Sequence, residues 1–265
     1  MKREDARLKR IYRDIKDIKI QGATNIARVA LQAYYLKPEA KTKNELIGLR
    51  PTEPMLVNTL NSLGKLPKEE IASHFDEAQD KINRNALNIL KGKKKVYTHC
   101  HSTNVIKALV YAKKKGKNFE VYNTETRPLF QGRTTSKDLA KAGIKVTQFV
   151  DSGMHQAIKE VDLIMIGADA LLKSSIINKI GSGAIAEIAY IHKKPLYIVA
   201  DSWKFSPKNV RIEERDFHEV WKNAPKNVKV RDPAFEKIDK KYITGIISEL
   251  GVLKYNDFLR KISRK

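Results

Sequence analysis

One cysteine, Cys100, stands in 265 residues. No internal disulfide can form, which fits a reducing compartment. No run approaches the roughly 20 consecutive apolar residues of a membrane span. The opening residues, Met1 to Asp5, carry charges in place of the apolar stretch of a secretory leader. A cytoplasmic protein with no membrane partner is expected.

Acidic residues are scarce, 30 Asp and Glu against 52 Lys and Arg, for a net charge of +22. Such a field draws in phosphorylated metabolites or nucleic acid. The lysines run along the whole chain, around Lys91–Lys95, Lys113–Lys117 and Lys237–Lys241, with no stripe interleaved with aromatics. Helix-turn-helix, zinc-finger and RNP signatures are missing as well, which argues against specific nucleic-acid binding. A phosphorylated small molecule remains as the expected partner.

No G-x-G-x-x-G follows the first strand-like run, which argues against a dinucleotide site. C-x-x-C and H-x-x-x-H pairs are absent too. His99 and His101 flank Cys100 on an extended stretch, where neighbouring side chains point to opposite sides. Neither a metal nor a cofactor is expected.

What is present divides at about residue 93. Leu8, Ile11, Tyr12, Ile15 and Ile18 recur at helical spacing, and Gly22 breaks that helix. Thr24 is placed to cap a second helix carrying Ala27, Ala30, Leu31 and Tyr34, which ends before Pro38. Residues 44–49 read as a short turn. Arg50-Pro51-Thr52 forces an extended step before the apolar run Met55 to Leu63, and Pro67 opens a long helix closed by Gly92. From residue 95 the pattern alternates, with strand-like runs at 95–99, 119–123, 145–150, 163–166 and 196–200 separated mostly by helical segments. The expected fold class is α/β: a helical N-terminal domain (1–93) followed by a Rossmann-like parallel-sheet domain (94–265).

The loops after these strands carry the chemistry. Cys100-His101-Ser102, Thr124 to Pro128, Asp151-Ser152-Gly153, Gly167-Ala168-Asp169 and Asp201 to Phe205 would converge on one rim of the sheet. Structural turns need Gly, Asn and Pro more than they need Cys, Arg and aspartates. Open α/β sheets bind ligands at that rim, beside helix N-termini that favour anions and thiolates. Gly181-Ser182-Gly183 follows Asn178-Lys179-Ile180; a phosphate cradle with an adjacent lysine and a plain helix start both explain it.

These motifs, with Gln131-Gly132, Trp203 to Pro207, Gly22-Ala23, Arg50-Pro51-Thr52, Asp232 to Phe235 and Ile246 to Gly251, resemble in order those of the ribose-1,5-bisphosphate isomerases. That group lies in a superfamily with methylthioribose-1-phosphate isomerases and the α, β and δ subunits of translation initiation factor 2B. The resemblance covers nearly the whole chain. It implies an aldose–ketose isomerase acting on ribose 1,5-bisphosphate in AMP degradation, with Cys100 and Asp169 as the catalytic pair. Two acid/base groups suit the proton transfers of that reaction. The thiol, near a helix N-terminus among cations, is expected to ionise readily, and the screened carboxyl to resist ionisation.

The resemblance further implies that Arg50 and Arg127 clamp phosphate, with Lys179 and Lys204 next and Arg133 a weaker candidate. Gly22, Ala23 and Ser102 would add backbone donors, Gln131 would contact substrate, and Asn178 would orient a sugar hydroxyl. A homo-oligomer, dimer or hexamer, and a nucleotide activator complete the implied partners. The chain departs from the pattern at Gln21, where an arginine is usual, and at Lys173-Ser174-Ser175, which replaces a glycine turn. Two alternatives follow: a noncatalytic regulatory subunit that binds a nucleotide or sugar phosphate, and an isomerase of methylthioribose 1-phosphate.

Overall fold

The computed structural model describes residues 2–17, 19–20, 22–212 and 214–264. Met1, Ile18 and Gln21 lie outside the described residues. The chain opens with helices α1 (Lys2–Lys16), α2 (Ala23–Leu36), α3 (Ala40–Leu49), α4 (Pro54–Asn61) and α5 (Lys68–Ile89). Leu8 and Ile15, Ile26 and Ala30, Leu46, and Leu56 and Leu60 form one apolar cluster among the first four. Each helix turns its apolar stripe inward.

Two local expectations are corrected. Residues 44–49 belong to α3 and not to a turn: Thr42 and Leu46 give the helix only a narrow buried face, too few apolar positions to reveal a period. Thr24 does not cap α2, which begins at Ala23 after Gly22 at φ 86°; its hydroxyl meets the Met55 sulfur at 3.6 Å.

Helix α5 serves two cores. Ile71 and Phe75 pack with Ala27, Leu31 and Met55, whereas Ile82, Ala86 and the following Leu90 pack with Val96, Val105 and Leu109 beneath the sheet. The strands are β1 (Lys95–Thr98), β2 (Glu120–Thr124), β3 (Lys145–Phe149), β4 (Leu163–Ile166), β5 (Ala170–Leu171), β6 (Ser175–Lys179), β7 (Leu196–Val199), β8 (Phe235–Asp239), β9 (Gly245–Ser248) and β10 (Gly251–Leu253). Helices α6 (Thr103–Lys114), α7 (Gln131–Lys141), α8 (Met154–Glu160), α9 (Ser182–Ile191) and α10 (Tyr255–Ile262) complete the chain.

The large sheet runs β10-β9-β7-β4-β1-β2-β3 and is parallel except at β10. Strand β1 pairs with β2 on one side and β4 on the other, so the chain reverses its direction of travel there. Beyond the carboxyl ends of two such strands an open sheet leaves a crevice. A second sheet, β5-β6-β8, is antiparallel and places Asn178 and Lys179 near that crevice. All five strand-like runs read from the sequence are strands; β5, β6, β8, β9 and β10 were not foreseen. No described helix is long and apolar enough to cross a membrane.

Candidate active site

Cys100 follows β1 and Asp169 follows β4, the two strands that flank the crevice. Cys100 is held in the left-handed region at φ 60°, a conformation that costs a residue with a Cβ about 1 kcal/mol or more. Two threonines hold it there. Its N–H donates to Thr126 Oγ1 at 3.2 Å, and its carbonyl accepts from Thr135 Oγ1 at 2.6 Å. On the β4 side, Gly167 lies so close to Ser102 that a Cβ there would sit 2.5 Å from the serine Oγ. Only glycine lets the two loops meet.

Cys100 and Asp169 line one cavity of about 230 Å³. The N-terminal helices supply Gly22, Ala23 and Arg50, the last paired with Glu53 at 2.8 Å. Ser102, Gln131, Asn178, Lys179 and Lys204 also line it. Lys204 donates to the Ala168 carbonyl at 2.7 Å, beside Asp169. Asn58 in α4 donates to the carbonyls of Trp203 and Phe205 at 2.7 and 2.8 Å, fixing the lysine's loop against the helices. Asn178 is oriented by Ser182 at 2.9 Å, while Gln131 keeps a buried Oε1 that has no hydrogen-bond partner among the described residues.

Arg127 is the exception. Its backbone N–H is bound by Asp151 at 2.7 Å, and its exposed guanidinium donates to the Val220 carbonyl at 3.1 Å, so it does not line the cavity. Arg133 is likewise outside, paired with Glu125 at 2.7 Å. The cavity instead receives Arg215, which the sequence reading passed over. Arg215 stands in the charged run 213–216, where no spacing or motif marked it. Glu53, His99 and Phe235 were also missed.

The electrostatics depart from expectation at the thiol. Burial pushes Cys100 up to about 11, with Asp169 adding to the rise, while a His101 backbone hydrogen bond and the charges of Lys179 and Arg215 pull the other way. Loss of water outweighs the cations. Burial also raises the Asp169 carboxyl, against Lys204, Arg50, Lys179 and Arg215 in that order. Burial therefore moves both groups toward their protonated forms, where opposed shifts were expected. His99 is kept neutral by burial; its ring meets the Ile180 carbonyl at 2.9 Å and abuts Gly181, at φ 98°.

Residues 67–255 match the model of the Initiation factor 2 subunit family. A ribose 1,5-bisphosphate isomerase of Methanocaldococcus jannaschii is 36% identical, with 93% of this chain and 91% of that one covered. One from Archaeoglobus fulgidus is 35% identical, with 90% and 87% covered. The solved 5-methylthioribose 1-phosphate isomerase of Pyrococcus horikoshii superposes with a TM-score of 0.75 at 26% identity, over 97% of this chain and 87% of that one. The translation initiation factor eIF-2B structure from the same organism gives 0.82 at 24% identity, over 94% and 97%, a likeness of fold alone.

Proposed function

The chain belongs to the initiation factor 2 subunit family, and on that premise we propose that it is an aldose–ketose isomerase converting ribose 1,5-bisphosphate to ribulose 1,5-bisphosphate. The observation that carries this reading is the placement of Cys100 and Asp169 beyond adjacent strands, in one cavity lined by Arg50, Lys179, Lys204 and Arg215. Binding a phosphorylated ligand needs the cations. It needs neither a thiol nor a carboxyl facing the same cavity, which favours the enzyme over a regulatory subunit.

The reaction consumes nothing beyond the sugar. As the C1–O4 bond breaks, Asp169 supplies the proton that O4 takes up. Electron deficiency gathers at C1; ionised Cys100 removes the proton from C2, and a C1=C2 enol phosphate forms. The thiol returns that proton to C1 while the O2 proton passes to Asp169, leaving a ketone at C2 and both groups as they began. The reactive form pairs a thiolate with a carboxylic acid, and Lys179 and Arg215 are the charges that favour the thiolate. Asn178 and Gln131 orient hydroxyls. Homo-oligomeric assembly and a cytoplasmic setting belong to the same reading.

The test is direct: purified protein is incubated with ribose 1,5-bisphosphate and, separately, methylthioribose 1-phosphate, and followed by NMR. Ketose from the bisphosphate is expected. Ketose from the methylthio sugar alone would transfer the site to that substrate, and none from either would overturn the isomerase reading.

A further inference from the structure

The four cations of the cavity fall into two pairs. Lys179 stands in register opposite Phe235, whose ring lies under the Arg215 guanidinium, whereas Lys204 donates to the Ala168 carbonyl beside Asp169 and Arg50 enters from the end of α3. Lys179 is 4% exposed and the Arg215 side chain 8%. Burial first, and the charge of Arg215 with it, hold the Lys179 ammonium below its usual range. Two neighbouring cations on a cavity wall, largely withdrawn from water, attract an anionic ligand in addition to the carboxylates that already stand beside them.

Acidic groups stand near the pair without lining the cavity. Glu219 lies 3.8 Å from Arg215, and Asp232 keeps a buried Oδ2 that has no hydrogen-bond partner among the described residues. The Arg215 guanidinium also lies over the Phe235 ring at 5.9 Å. Its segment is fastened at three points: Arg215 N–H to the Asp232 carbonyl at 2.9 Å, a bridge between Glu214 and Pro233, and the Arg127 guanidinium on Val220. The side chain is thus positioned before any ligand arrives.

We propose, resting on the isomerase reading above, that Arg215 joins Lys179 to form the subsite for the second phosphate of a bisphosphate and so sets the preference for a bisphosphate over a monophosphate. The other phosphate falls to Arg50, Lys204 and the backbone at Gly22 and Ala23. A planar, always charged guanidinium matches two phosphate oxygens at once, which a lysine cannot do.

Calorimetric binding to ribulose 1,5-bisphosphate, ribose 5-phosphate and ribose 1-phosphate tests this without relying on turnover. Arg215→Met is expected to weaken the bisphosphate about tenfold or more, in line with loss of a charge-assisted hydrogen bond. It weakens one of the two monophosphates to the same degree and leaves the other within about threefold, because each monophosphate fills only one subsite. Arg215→Lys keeps the charge and recovers part of the loss; it also carries the test alone should the methionine variant fail to fold. Equal losses for both monophosphates, or no loss for any ligand, overturn the assignment. Wild-type turnover of ribose 1,5-bisphosphate is measured alongside. Its absence removes the isomerase reading and this inference together, while turnover with unchanged variant binding removes only the role of Arg215.

Discussion

Thr135 donates its hydroxyl to the carbonyl oxygen of Cys100 at 2.6 Å. One hydroxyl on α7 thereby fixes the backbone of the thiol in a conformation that it would not keep alone. The same oxygen lies 3.2 Å from His101 Nδ1, so with its proton spent on Cys100 it must accept from that ring.

Thr135→Val removes this bond and leaves a carbonyl without its partner. The expected cost is about 1–2 kcal/mol of stability, read as a lower melting temperature. Turnover falls about tenfold or more while KM changes little, because the thiol moves and the phosphate cations stay. Unchanged kcat would show that the thiol's position is set elsewhere.

The Cys100 thiol rises from 9.0 to about 11 chiefly through burial, so its ionisation opposes folding. Below the unfolded value of 9.0 the stability is fully present; it is lost as pH rises toward about 11. Between pH 8 and 10.5 the wild type should lose on the order of 1–2 kcal/mol relative to Cys100→Ser, measured by urea unfolding. Parallel curves for the two proteins would contradict an enclosed thiol.

Asp169 has the same sign at lower pH. Its carboxyl is raised by burial, so the charged form is the strained one near neutrality. Asp169→Asn is therefore expected to melt at a higher temperature at pH 7 while losing turnover, a trade of stability for function. A lower melting temperature would mean that the four cations need the carboxylate more than burial penalises it.

Asn58 bonds two carbonyls on either side of Lys204, and His74 stacks on Trp203 at 3.7 Å while meeting Asp201 at 3.0 Å. Asn58→Ala should loosen the junction between the helices and the β7 loop by about 2 kcal/mol and raise KM more than it lowers kcat. An effect on kcat alone would detach this contact from substrate binding.

Arg127 was legible as part of a motif but not as a fastener. Its exposed side chain reaches Val220, five residues beyond Arg215. Arg127→Ala is expected to weaken bisphosphate affinity about two- to fivefold, as loss of one exposed hydrogen bond allows, and always by less than Arg215→Met. A larger loss than that of Arg215→Met would place Arg127 on the ligand itself.

The loops that carry Cys100 and Asp169 could be placed at the rim because β1 and β4 are apolar enough to be seen and strand-to-helix alternation fixes which loops reach it, while the choice of these two among the rim residues came from the resemblance of the motifs. Arg215 could not: its segment has no period, and only the fold turns that charged stretch inward. Strand β9, four residues long, and α3, with two buried side chains, carry too little pattern to announce themselves. The ionisation of Cys100 was misjudged for a related reason. Sequence shows which charges are near, but burial, which outweighed them, appears only once the chain is folded.

The most direct measurement follows ribose 1,5-bisphosphate in D2O by proton and deuterium NMR with wild type and Cys100→Ser. Wild type should form the ketose with deuterium entering at C1 through solvent exchange at the sulfur, and the serine variant should form none while binding the bisphosphate within about threefold of wild type. Ketose produced by Cys100→Ser at the wild-type rate would contradict the account.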